Sequence, residues 1–174
     1  TFSRIGKVAA SSTVTTLIHK FNVDFILFTG VAGAVHPELN IGDVVIGDGL
    51  YQHDMDATPL FLQYEIPLTN SILFKPHPTH VSNARLAANH FLKHITTHID
   101  EQTLIHHTVH QPVVHQGMIA SGDLFVKNPS THPNLMHKHD NQTTLAVEME
   151  GAAVAQVCHE HNIPYLVIRT ISDK

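Results

Sequence analysis

Short runs of consecutive apolar residues alternate along this chain with stretches of helical period, and that alternation limits the possible folds most. Asp24-Phe25-Ile26-Leu27-Phe28, Asp43-Val44-Val45-Ile46-Gly47-Asp48, Val113 to Ile119, Leu145-Ala146-Val147 and Pro164-Tyr165-Leu166-Val167-Ile168-Arg169 each read as a strand. A strand that is apolar at successive rather than alternate positions is covered on both faces. Lys7 to Phe21 reads as a helix with Val8, Leu17, Ile18 and Phe21 available for burial, and Ala152 to Glu160 reads as another. Ala84, Ala87, Ala88, Phe91, Leu92 and Ile95 form an apolar stripe at helical spacing, with His90 and His94 beside it. The expected fold class is α/β, with helices packed around a largely buried sheet. The first strand is expected to end at the turn Thr29-Gly30-Val31-Ala32-Gly33-Ala34. Residues 52–79, spotted with Pro59, Pro67, Pro76 and Pro78, form a connection long enough to suggest a binding or interface loop.

A chain of 174 residues is one domain of ordinary size. Its hydrophobic fraction of 43% and charged fraction of 14% fit a packed core rather than disorder. Ten Lys and Arg against fifteen Asp and Glu give a formal charge of −5, and no basic run occurs. Nucleic-acid and anionic-membrane partners would call for clustered charge of the opposite sign, so neither is expected. No apolar stretch approaches the roughly 20 residues of a membrane-spanning helix. The one cysteine, Cys158, makes no internal disulfide, which favours a reducing compartment, and the cytoplasm is the expected location. The chain starts at Thr1 without a methionine and stops at Lys174 just after a Ser-Asp pair, so both ends are expected to be missing.

Seventeen histidines are the oddity of the composition. His90, His94 and His98 recur every four residues, and His106, His107 and His110 cluster. Histidines four apart share a helix face and could chelate a metal. No Asp, Glu or Cys is interleaved with the first set, so solvated surface histidines are the preferred reading, and no metal or cofactor is expected.

Four segments break the structural pattern at or beyond the carboxyl ends of strands, where open α/β sheets bind ligands. They are Gly30-Val31-Ala32-Gly33, Ser121-Gly122-Asp123-Leu124-Phe125-Val126, Val147-Glu148-Met149-Glu150 and Arg169-Thr170-Ile171-Ser172-Asp173. Each has a plainer reading beside the chemical one. The glycines also suit a tight strand-to-helix turn. Glu148 and Glu150 also suit the positive end of a helix dipole, although a carboxylate equally suits the two adjacent hydroxyls of a ribose. Ser172-Asp173 also suits a helix cap, although an acid near an arginine can deliver a proton while the arginine orients an anion or water.

Taken in order, Ser3-x-Ile5-Gly6-Lys7-Val8-Ala9-Ala10, Thr29-Gly30-x-Ala32-Gly33, Ile41-Gly42-Asp43-Val44-Val45, His53-Asp54-x-Asp56, Ser121-Gly122-Asp123, Val147-Glu148-Met149-Glu150 and Arg169-x-Ile171-Ser172-Asp173 resemble the nucleoside phosphorylase/hydrolase superfamily. Within it they are most similar to the 5′-methylthioadenosine/S-adenosylhomocysteine nucleosidases. The resemblance runs from Ser3 to Asp173. It implies a three-layer α/β/α fold with a mixed central sheet, and one domain, residues 1–174, incomplete at both termini. The missing N-terminal strand would carry a catalytic glutamate, and the segment alone would be nearly inactive.

The resemblance also implies hydrolysis of the N-glycosidic bond of methylthioadenosine and adenosylhomocysteine. Asp173 would protonate adenine N7, with Ser172 holding that carboxyl. Glu150 would grip the ribose hydroxyls, Met149 would pack on the sugar, and Arg169 would help order the attacking water. Phe125 would stack on the base while the Val126 backbone reads its edge, and Ile5 would meet the 5′ alkylthio group. Ala32, Gly33 and Glu148 complete the expected binding set. Ala57 and Leu60 fall where the family sends residues across a homodimer interface into the same pocket.

The superfamily's phosphorylases carry an arginine two residues before the first glycine of the Gly-rich turn and a hydroxyl residue directly after it. Those positions hold Phe28 and Val31, which offer phosphate no charge and no hydrogen bond, so water is the expected nucleophile. Three alternatives stay open. They are a nucleosidase for another 5′-substituted nucleoside such as aminofutalosine, a purine or uridine phosphorylase, and a nucleosidase-like storage or surface-binding protein.

Overall fold

The structure is a computed structural model that describes residues 1–136, 138–139 and 142–174. Helix α1 (Lys7–Phe21) leads into β1 (Ile26–Ala34) and β2 (Val44–Gln52). After a long connection come α2 (Pro78–Lys93), α3 (Glu101–His106), β3 (Val114–Ser121), β4 (Lys138–His139), β5 (Gln142–Glu148), α4 (Gly151–Glu160) and β6 (Tyr165–Asp173). The strands form one mixed sheet in the order β1-β6-β2-β3-β5-β4. An antiparallel pairing of Gly33 with Val147 and Ala34 with Ala146 joins β1 to β5, so five strands close on themselves at one end.

Successive apolar residues feed opposite sides of that sheet. Val45 and Val167 belong to the core shared with α1 and α4, which also holds Ala10, Val14, Ala152, Val154 and Cys158. Their neighbours Val44, Ile46, Leu166 and Ile168 pack on the other side against Val81, Ala84 and Ala88 of α2. This is the three-layer α/β/α arrangement with a mixed sheet. Burying a side chain of this kind is worth about 1.5–3 kcal/mol, so a strand filled at every position stabilises two layers at once.

Several expectations need correction. β1 does not stop at Phe28 but runs through the glycines to Ala34, because β6 stays paired with it in parallel register to Gly33. β6 likewise continues through Ser172 and Asp173, so that pair ends a strand and caps no helix. On α1, Val8 and Phe21 are exposed, and Ala10 and Val14 take the buried positions. Small residues there let α1 lie close to α4. On α2 the buried contact is Val81, with Ala84 and Ala88 beside it, while Phe91 stays 41% exposed. α3 was not foreseen, since a six-residue helix carries too little periodicity to register. The connection after β2 is irregular, as expected, yet Tyr64, Ile66 and Phe74 are buried along it. No helix among the described residues is long and apolar enough to cross a membrane.

Candidate active site

At the carboxyl ends of β1, β3, β5 and β6 lies a cleft of about 210 Å³. It gathers residues from five separate stretches, among them Ile5, Gly33, Phe125, Met149, Glu150 and Asp173. Ala32, Val126, Glu148 and Ser172 also line it, together with Val31, Leu124 and Val147. Leu124 and Val147 fall within the singled-out segments, but the sequence assigned neither a role in binding. An apolar residue at a strand end looks like core until the loops around it are placed.

The two glutamates of Val147-Glu148-Met149-Glu150 have different surroundings. Glu148 ends β5 and points inward. Its carboxylate accepts from the Gly151 N–H at 2.8 and 2.9 Å and from the Glu150 N–H at 3.1 Å, which are the first free donors of α4. It also accepts from the Ser121 hydroxyl and from Arg169, whose Nε lies 3.1 Å away. Ser121 Oγ meanwhile accepts from the Ala152 N–H at 2.7 Å. Both Glu148 oxygens are thus engaged by the protein, and the helix-terminus reading describes this residue. Ser121 was singled out only as part of its loop; a buried hydroxyl bridging a carboxylate and a helix start has no signature in sequence.

Glu150 faces the cleft. Its Oε1 accepts from the Gly6 N–H at 2.8 Å, and its Oε2 lies 3.6 Å from Arg169 Nη2. Gly6 sits just before α1 with φ of 100°, a conformation that glycine adopts freely, and this turns its N–H toward Glu150. Burial, above all, pushes the Glu150 carboxyl above the usual carboxylate range. Glu148 adds to the rise, while the Gly6 N–H and Arg169 hold it down in part.

Arg169 is 2% exposed and does not line the cleft. Its guanidinium pairs with Glu148, lies 4.4 Å from the centre of the Phe28 ring, and packs against Gly30, where any Cβ would collide with Nη1. The arginine therefore reaches the cleft through the two glutamates. Ser172 Oγ donates to Asp173 Oδ1 at 2.6 Å, and Asp173 comes close to Gly33, where a Cβ would lie 3.1 Å from Oδ2. Ile5 and Phe125 are exposed at the mouth, and the Val126 side chain is buried. Ala57 and Leu60 belong to the connection after β2 and do not line the cleft within one chain. Among the described residues no group of three or more His, Cys, Asp and Glu could hold a metal ion.

The model of the phosphorylase superfamily matches residues 1–174. The chain belongs to that superfamily. A nucleosidase for 5′-methylthioadenosine and S-adenosylhomocysteine from Pseudoalteromonas translucida is 39% identical over 173 residues, covering 98% of this chain and 64% of the relative. One of the same name from Bacillus cytotoxicus is 36% identical over 172 residues, covering 98% and 65%. The chain thus spans just under two thirds of the length of these curated relatives. Among solved structures, the nucleosidase from Neisseria meningitidis in complex with methylthio-immucillin-A superposes with a TM-score of 0.80 at 33% identity, covering 99% of this chain and 66% of that one. Futalosine hydrolase of Helicobacter pylori gives 0.78 at 34% identity, covering 98% and 64%.

Proposed function

We propose that this superfamily member hydrolyses the N-glycosidic bond of 5′-methylthioadenosine and S-adenosylhomocysteine. The observation that carries this reading is the cleft in which a serine-held acid, Asp173, and a charge-bearing glutamate, Glu150, face a mouth lined by Ile5 and Phe125. Asp173 protonates adenine N7, so the bonding pair between C1′ and N9 leaves with adenine as the base departs. The sugar turns oxocarbenium-like, and the Glu150 carboxylate, gripping the ribose hydroxyls, stabilises that charge. Water adds to C1′ and releases its proton to solvent, from which Asp173 is reprotonated for the next turnover. Met149 packs on the sugar, Phe125 stacks on the base, and the Val126 backbone reads the base edge. Arg169 acts through Glu148 and Glu150 by holding their carboxylates in place. Apolar Val31 in the cleft wall supports water over phosphate as nucleophile.

A second substrate, a futalosine-type nucleoside, is favoured by the similarity to futalosine hydrolase and by the small Ala57. The reading includes a homodimer in which Ala57 and Leu60 approach the partner's cleft. Leu60, Leu62 and Leu68, at 83, 68 and 88% exposed, support it. The buried free thiol of Cys158 suits the cytoplasm.

The test is adenine release by the full-length protein from methylthioadenosine and from aminofutalosine, each without and with phosphate. Release that is independent of phosphate is expected, and Asp173→Asn should lower it by at least about 10²-fold, the usual contribution of a general acid. Strict phosphate dependence, or an Asn variant with near-parental turnover, overturns the reading.

A further inference from the structure

Lys7 opens α1, yet its side chain joins parts of the chain far from that helix. The Nζ donates to Asp54 Oδ1 at 2.6 Å and to Gln52 Oε1 at 3.0 Å, and lies 3.8 Å from Asp123 Oδ2. Asp54 Oδ2 accepts from the backbone N–H of Asp123 at 2.9 Å, and Asp123 Oδ1 accepts from the backbone N–H of Lys7 at 3.1 Å. Gln52 Nε2 continues the chain to Gln156 Oε1 of α4 at 2.8 Å. None of Lys7, Asp54 and Asp123 lines the cleft. Asp123, however, starts the stretch that delivers Leu124, Phe125 and Val126 to its wall.

We infer that Lys7 is a positioning residue that sets the base-binding wall of the cleft by clamping Asp54 and Asp123, an inference that rests on the proposed nucleosidase reading. A lysine ammonium has three donors and a compact charge, so one group can hold two carboxylates and an amide oxygen at once. Burial pushes the Asp54 carboxyl up, but the hydrogen bonds from Lys7 and the Asp123 N–H, with the Lys7 charge, outweigh it and leave the carboxyl below its ordinary value. Without the ammonium, Asp54 and Asp123 would be neighbouring anions joined only through one amide. Their repulsion would push the 122–126 stretch away from Asp54. The Asp123 side chain is 57% exposed and 3.8 Å from the Lys7 ammonium, so that contact adds little to global stability. The role is therefore placement of one loop rather than support of the whole fold. The Gly6 N–H also ties α1 to Glu150 through a bond that does not involve the Lys7 side chain.

The experiment compares Lys7→Met, Lys7→Arg and Asp54→Asn with the parent in the full-length protein. It reads KM and kcat for methylthioadenosine, and amide hydrogen exchange across residues 122–126 and 148–151. Lys7→Met should raise KM by about tenfold with kcat within about threefold, since a charge-assisted bond is lost from a wall that binds but does not react. Exchange at 122–126 should accelerate while 148–151 is unchanged. Lys7→Arg should restore most of both. Asp54→Asn, whose amide nitrogen would face either the Lys7 ammonium or the Asp123 N–H, should shift them in the Lys7→Met direction but less far, because it also removes the repulsion, and it provides the test if Lys7→Met fails to fold. A fall in kcat with KM unchanged, or unaltered exchange at 122–126, overturns the inference. A parent that releases no adenine sinks the nucleosidase reading instead, and exchange alone then decides the clamp.

Discussion

Arg169 and Glu148 form an ion pair in which each side chain is only 2% exposed. The pair spends the charge of one glutamate inside the protein and leaves the other, two residues on, to face the cleft. Glu148 also ties together the end of β3 through Ser121 and the start of α4 through two backbone N–H groups. One carboxylate thus fixes the relative positions of three elements that border the site.

Glu148→Gln should be severely destabilising, while Glu150→Gln should not. Removing one partner of a buried pair strands the other and typically costs about 3–5 kcal/mol, a large share of the roughly 5–15 kcal/mol by which domains are stable. Glu150 has one hydrogen bond to protein, from Gly6, and a glutamine oxygen can accept it equally well. Thermal unfolding of both variants checks this; similar midpoints would mean that Glu148 is not the organising residue.

The pH dependence of Glu150 runs opposite to that of an ordinary ion-paired acid. Burial raises its folded-state value above the unfolded one, so folding takes up a proton between the two. Stability is therefore lost as pH rises from the unfolded value through the raised folded one, and the deficit is complete above the folded value. Glu150→Gln should melt at or above the parent temperature at pH 7, with the difference shrinking as pH falls below the ordinary carboxylate range. On the proposed nucleosidase reading, adenine release by the full-length protein should still drop by about 10²-fold or more, as expected when a preorganised charge is removed from a transition state. Scanning calorimetry at both pH values, paired with a turnover assay, separates the two effects. A variant that melts lower at neutral pH contradicts the account.

Gly30→Ala should damage both stability and turnover although it adds only a methyl group. The new Cβ would collide with Arg169 Nη1 and lie 3.3 Å from its Cζ. A flexible arginine could step aside, but here Glu148 holds the guanidinium and Phe28 covers it. Overpacking of this kind costs about 1–3 kcal/mol. Val31→Ala serves as the control, because Val31 is 63% exposed and its loss should leave the melting temperature nearly unchanged. Equal midpoints for the two variants would show that Arg169 is freer than its contacts imply.

The layers of the fold were legible in the sequence because hydrophobic period is a local property. Val44, Val45 and Ile46 announce a strand covered on both faces, and the helices of Lys7–Phe21 and Gly151–Glu160 were read to within one residue at each end. The extent of β1 and β6 was not legible. Each strand continues past its apolar run because the other pairs with it, and pairing leaves no mark in the composition of Gly30-Val31-Ala32-Gly33 or Thr170-Ile171-Ser172-Asp173.

The sequence by itself determined an α/β chain whose unusual residues collect at strand ends, and with them the acids Glu148, Glu150 and Asp173 as the chemically telling groups. Only the tertiary structure decided how those acids divide their work. Glu148 and Glu150 are the same side chain two positions apart, so no local rule separates them. What separates them are partners distant in sequence: Ser121 and Arg169 for Glu148, and Gly6 for Glu150. The same holds for Lys7, which reads as an ordinary first-turn lysine until the fold carries Asp54 and Asp123 to it. Charge and hydrogen-bonding capacity are written residue by residue, but whether a carboxylate meets a buried cation or an open cleft depends on which segments the packed core brings together.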